Sequence, residues 1–186
     1  MDIDEALLEC EEQMDKAVEY LRGELKGVRS GRASPALVEY VKVDYYGSMT
    51  DLRQLAQVSV PEPTQLLIRP FDASATDAIS KAIQGSGLGL NPIVEGKQVR
   101  LSIPPLSTER RQQLANSVKQ MGEQAKIAVR NTRRDANKHI DADQKDGNAT
   151  EDDAKKAKDE VQSLTKKHEE AIDKMLTDKQ KDIMEN

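Results

Sequence analysis

The stretch "AVRNTRRDANK", residues 128–138, sets three arginines and a lysine into a chain whose formal net charge is −5. On a helix, Arg130, Arg133, Arg134 and Asn137 fall on one face. The planar guanidinium fork matches phosphate oxygens, so the chemistry this spacing fits is the binding of a polyanion. The plain alternative is a solvated helix face. Such faces usually mix signs at i, i+4, whereas Glu123 is the one acid among Lys119, Lys126, Arg130, Arg133 and Arg134. Residues 109–138 hold eight basic and three acidic side chains, a net of +5, which leaves −10 for the remainder. That asymmetry describes a directed electrostatic surface. Arg22, Lys26 and Arg29 recur at i, i+4 and i+7 in an earlier segment, and Arg32 follows.

Other residue sets carry less chemistry. "GSGLGLNP" (85–92) follows a helical pattern instead of opening one and lacks the Gly-Lys-Ser/Thr of a phosphate loop, so it reads as a helix stop and turn. His139 and His168 fall on apolar seams with no second ligand at metal spacing. Cys10, the single cysteine, also lies on a seam, where thiols are normally inert. No nucleophile–base pair can be nominated: the sequence offers no catalytic residue, no metal site and no cofactor motif. Gly23, Gly27 and Gly31 repeat every four residues, a pattern for close backbone approach or for a weakening helix end.

Three long amphipathic segments must position the arginines. Leu7, Cys10, Met14, Ala17, Leu21 and Val28 form a seam predicting a helix over about residues 3–29. Leu114, Val118, Met121, Ala125, Ala128, Thr132 and His139 form a second, opening after "IPPL" with Ser107 as its cap. Ala154, Ala157, Val161, Leu164, His168, Ala171 and Met175 form a third, with Thr150 and Asp153 placed as a capping box after a Gly147-Asn148 turn. On a wheel of about 100° per residue the second seam lies almost opposite the basic stripe, which predicts a fully presented stripe. Aromatics are only 3% of the chain and there is no Trp, so the core is built from small aliphatic side chains.

Between the first and second helices the period changes. "VEYVKVDYY" (38–46), "QLLIRPFD" (65–72) and "KQVRLSIP" (97–104) read as strands; "SATDAISKAIQ" (74–84) reads as a short helix capped near Ser74. The expected fold is α+β: an elongated antiparallel three-helix bundle (1–30 and 105–186) with an inserted small β/α/β domain (31–104). "SGRASP" and "IPPL" join the two, and Gly31, Pro35, Pro104 and Pro105 are the candidate hinge residues. The acidic start resembles neither a secretory signal nor a transit peptide, and no apolar run could span a bilayer, so the expectation is a cytoplasmic protein without a membrane partner.

"VRSGRASPALVEYVKVDYYG", "LRQLAQVSV", "IRPFD", "KAIQGSGLGLNP", "VRLSIPPLSTERR" and "AVRNTRRDANK", in this order, resemble the ribosome recycling factor family over essentially the whole chain. Gly87 stands where that family usually has Asp, and Thr108 where an acid is common; both bear on cap and turn details. The resemblance implies an L-shaped molecule with the small domain on a flexible hinge. It implies a non-enzymatic factor that binds the post-termination ribosome, its bundle against large-subunit ribosomal RNA. Elongation factor G with GTP then separates the subunits and the mRNA is released. Matched residue by residue, RNA contact is implied for Arg29, Arg32, Arg111, Arg130 and Arg133, with Arg110 and Arg134 beside them. The expected protein is a monomer. A helical adaptor binding a partner coiled coil and a phosphate-handling enzyme are the rival readings; the first needs neither the insertion nor the basic stripe.

Overall fold

The computed structural model describes residues 2–185; residues 1 and 186, which close the expected bundle domain, lie outside the described residues. Along the chain run α1 (Ile3–Lys26), β1 (Lys42–Tyr45), β2 (Ser48–Asp51), α2 (Leu52–Leu55), β3 (Ala56–Glu62), β4 (Gln65–Pro70), α3 (Thr76–Gln84), β5 (Pro92–Glu95), β6 (Gln98–Ser102), α4 (Thr108–Lys145) and α5 (Glu151–Met184). Short 3₁₀ turns occupy Pro35–Leu37 and Ala73–Ala75. Two compact units result. The chain up to Ser30 joins Thr108–Glu185 in one, and Gly31–Ser107 forms the other.

The first unit is the three-helix bundle. α1 opens on a capping box, with Asp2 accepting from the Glu5 amide at 2.8 Å and Glu5 accepting in return from the Asp2 amide at 3.3 Å. It ends at Lys26, short of the expected residue 29, because the Gly27 and Val28 amides turn back to the Glu24 and Leu25 carbonyls, each at 3.1 Å, in a tighter i→i−3 pattern. α5 opens on the expected Thr150–Asp153 box, where the Thr150 hydroxyl and amide hold the Asp153 carboxyl below its ordinary range. Gly147, at φ +80, makes the turn between α4 and α5, and Asn148 donates to the Asp143 side chain and carbonyl.

α4 runs antiparallel to α5: Lys126 meets Asp173, Arg130 meets Glu169, and Lys158 meets Asp141. α1 runs parallel to α5, with Glu11 on Lys167 and Asp15 on His168. His168 is buried between acceptors on both sides, its Nδ1 2.6 Å from the Leu164 carbonyl oxygen and its Nε2 2.7 Å from Asp15 Oδ1. The core joins Cys10, Met14, Val18, Leu21 and Leu25 to Val118, Ala125, Val129, Ala136 and Ile140, and to Ala154, Ala157, Val161, Ile172 and Ile183.

The seam expected on α4 is corrected by this core. Its buried positions are Val118, Gly122, Ala125, Val129, Ala136, Ile140 and Asp143, while Ala128 and His139 are exposed. On α1, Ala6, Val18 and Leu25 are buried where Leu7, Ala17 and Val28 are only half-buried. A wide helix face offers two parallel rows of apolar residues, and the sequence reading followed the outer row.

Gly122 is the close approach that the glycine repeat did not mark. A Cβ there would stand 2.2 Å from Leu176 Cδ1 and 2.9 Å from its Cγ, whereas Gly23 meets nothing within 4 Å. Elsewhere on a helix, Gly→Ala gains about 0.8–1 kcal/mol. Gly122→Ala is expected to lose about 1–3 kcal/mol instead, because the methyl displaces Leu176 from a packed interface. Thermal melts of the two proteins check this; an unchanged or raised Tm would mean that Leu176 rotates aside freely.

The second unit holds a four-stranded antiparallel sheet in the order β3-β4-β6-β5, and a hairpin of β1 and β2 turning at Tyr46 and Gly47. α3 packs on β1, β5 and β6, and Ile79 and Ile83 share a buried core with Val43, Leu66, Ile68, Val99 and Leu101. The expected first strand is cut to four residues because Pro35 starts a 3₁₀ turn that leads into it. β2, β3 and β5 are additional to the expected strands. In place of the cap expected near Ser74, Asp72 caps the 3₁₀ turn that leads into α3, accepting from the Ser74 amide at 3.0 Å and from the Tyr45 hydroxyl at 2.8 Å. The Ser74 amide first, and Tyr45 next, hold the Asp72 carboxyl below its usual range. Among the described residues, no helix is long and apolar enough to cross a membrane.

Candidate nucleic-acid interface

The basic stripe does not face away from the core. At about 100° per residue, the buried row of α4 centres roughly 55° from Arg133, 75° from Lys126 and 115° from Arg130, and only Arg134 lies almost opposite. The stripe therefore runs along the edge where α4 meets α5, and α5 supplies partners that the spacing within α4 could not reveal. Lys126 Nζ lies 2.6 Å from Asp173 and keeps only 18% of its side-chain surface. Arg130 donates from Nε to Glu169 at 2.9 Å, and Arg133 donates from Nη1 to Gln162 at 3.3 Å.

These contacts divide the cations by what they leave over. Lys126 is covered. Arg130 has both terminal nitrogens without a partner among the described residues, and 47% of its side chain is open to solvent. Arg133 keeps Nε and Nη2. Arg134 and Lys119 are exposed and make no ion pair among the described residues. Exposed ion pairs contribute only about 0.2–1 kcal/mol each, so this ladder does more to orient side chains than to hold the bundle.

The remaining arginines nominated from sequence lie in three settings. Arg110 is exposed on the first turn of α4 and donates to Gln113 at 3.1 Å. Arg111 is half-buried, and its Nε is a buried donor without a hydrogen bond. Arg29 lies exposed just past the end of α1 in the bundle unit, and Arg32 is exposed in the other unit. Within the bundle, antiparallel α1 and α4 bring Arg29 to the end at which α4 begins with Arg110 and Arg111.

Other candidates fall into structural roles. Burial foremost, and then Glu11, pushes the Cys10 thiol above its ordinary range, which makes it a poor nucleophile. His139 is exposed and lines a shallow groove with Glu9, Cys10 and Asp135. Among the described residues, no group of three His, Cys, Asp or Glu gathers to hold a metal. In "GSGLGLNP", Gly85 closes α3, and Gly87 and Gly89 take positive φ in the following turn, so no helix N-terminus is offered to a phosphate.

The profile of the family described as ribosome recycling factor matches residues 21–184. This chain belongs to the ribosome recycling factor family. Curated relatives bear it out: it is 49% identical over 181 residues to the ribosome-recycling factor of Halalkalibacterium halodurans, covering 97% of this chain and 98% of that one. It is 46% identical, with the same coverage, to that of Symbiobacterium thermophilum. A solution structure of the ribosome recycling factor aligns over 100% of this chain and 99% of its own length, with TM-score 0.80 and 41% identity. A second solved relative, 38% identical with TM-score 0.66 over 99% of this chain and all of its own, is a T. thermophilus ribosome recycling factor. It is described together with E. coli elongation factor G, bound to the E. coli post-termination complex. Family membership and the bundle-plus-insert fold agree with what the sequence motifs implied.

Proposed function

We propose that this chain binds the post-termination ribosome on its large subunit and, with elongation factor G and GTP, separates the subunits so that mRNA is released. The near full-length match to ribosome-recycling factors carries this reading, and the relative bound with elongation factor G to a post-termination complex supports the choice of partners. The α4–α5 edge supplies the chemistry for ribosomal RNA: Arg130 and Arg133 present guanidinium nitrogens that suit phosphate oxygens, and Arg134 stands exposed on the outer face of α4. Arg29, Arg110 and Arg111 are further candidates in the bundle unit, and Arg32 is the candidate in the other unit. The chain works as a monomeric cytoplasmic factor without catalysis of its own. GTP hydrolysis belongs to the partner. The test is subunit separation from post-termination ribosomes followed by light scattering. Separation is expected when this chain, elongation factor G and GTP are all present; no gain over elongation factor G and GTP alone contradicts the reading.

The two units are proposed to act as domains that move about "SGRASP" and "IPPL", with Gly31, Pro35, Pro104 and Pro105 as the hinge. Gly31 takes φ +80, which a β-branched residue adopts only under strain of about 1–3 kcal/mol, and a Cβ there would stand 3.1 Å from Leu106 Cγ. Gly31→Val is expected to leave large-subunit binding intact while subunit separation slows. Separation at the parent's rate, or binding that falls in step with it, removes Gly31 from the hinge.

A further inference from the structure

The edge that carries the arginines also carries acids from α5, and their placement is uneven. Asp173 takes the single cationic atom of Lys126 at 2.6 Å and leaves it only 18% exposed. Glu169 meets Arg130 differently. It accepts from Nε, the one guanidinium nitrogen that faces sideways along the chain stem, at 2.9 Å. Both terminal nitrogens stay without a partner among the described residues. A guanidinium is rigid and planar, so fixing Nε fixes the direction of the two-pronged end. The Glu169 side chain is itself 28% exposed on a regular helix, a firmer anchor than Arg130's four-torsion stem. The carboxylate thus holds the arginine at Nε and leaves both terminal nitrogens unengaged on a side chain that is 47% open to solvent.

We infer that Glu169 is a positioning residue for RNA binding: it pre-orients the Arg130 fork, and Asp173 withdraws Lys126 from the contact surface. This rests on the RNA-binding reading of the stripe. A negative charge beside a phosphate site disfavours the ligand, so two opposed effects act at Glu169, repulsion and orientation. Substitutions separate them. Glu169→Gln removes the charge and keeps a side-chain oxygen for Nε; Glu169→Ala removes both. The charge change is common to the two variants, so their ratio isolates orientation.

The test measures dissociation constants for isolated large subunits at one salt concentration, in the parent and in an Arg130→Ala background, with helix content checked by circular dichroism. With Arg130 present, Glu169→Ala is expected to bind about 3–10-fold more weakly than Glu169→Gln, the cost of ordering one long side chain on binding. With Arg130→Ala the two are expected to bind alike. A ratio near one with Arg130 present overturns the inference, as does the same ratio in both backgrounds, which would make Glu169 a matter of helix structure. If Arg130→Ala alone binds as tightly as the parent, the RNA-binding reading falls, and the inference with it.

Discussion

Leu21→Asp and Val118→Asp are each expected to abolish cooperative folding of the bundle near physiological temperature. Both side chains are fully buried, Leu21 on α1 and Val118 on α4, in the core that all three helices share. Each substitution removes an apolar side chain whose burial contributes about 1.5–3 kcal/mol, and it also places a carboxylate where water cannot reach it. The total is several kcal/mol, comparable with the roughly 5–15 kcal/mol that separates a domain from its unfolded state. Circular dichroism melts check this, and Leu8→Asp is the control, since Leu8 is exposed. A normal melt for either buried variant would mean that the helices pack in another register.

The second large effect is on binding. Arg130→Ala with Arg133→Ala removes two guanidinium groups at exposed or half-exposed positions and replaces them with a strong helix former, so helix content should be unchanged. Removing charge-assisted hydrogen bonds of about 1.5–3 kcal/mol each would weaken large-subunit binding by at least about tenfold. Phosphate binding also releases counterions, so the logarithmic salt slope should flatten by about 0.7–0.9 for each phosphate that is no longer neutralised. Weaker binding with an unchanged slope would assign the two arginines to groups other than phosphate. Unchanged affinity would make the stripe a solvated face.

Much of this arrangement was legible in the residues. Thr150 and Asp153 announced the start of α5, and Gly147-Asn148 the turn before it, because capping and turn chemistry are local. The helices themselves follow from periodicity. Which of two apolar rows faces inward does not, since that depends on the neighbours: Ala128 and His139 fit the α4 pattern yet lie outside, while Gly122 lies inside because Leu176 needs its space. β2, β3 and β5 were missed for a similar reason. "SMTD" and "PIVE" have too little alternation to read as strands alone and are held by ladders to β1 and β6.

Spacing within α4 marks the arginines as one stripe and says nothing of their partners on α5. One signal could have found them. An antiparallel pair places side by side residues equally far from one common centre in the connection, and Arg130 and Glu169, Lys126 and Asp173, and Asp141 and Lys158 all share a centre between Ala149 and Thr150, just past the Gly147-Asn148 turn. Spacing within one helix sees only i, i+4 neighbours, so it shows the stripe with a single acid, Glu123, and none of the acids of α5.

Ribosome binding through the basic edge is decided by cosedimentation with isolated ribosomal subunits over a range of salt. The chain is expected to pellet with the large subunit in preference to the small, and binding should fall steeply and linearly on logarithmic axes as salt rises. Failure to pellet with the large subunit at low salt, or binding there indifferent to salt, would rule out a phosphate-directed role for the arginines.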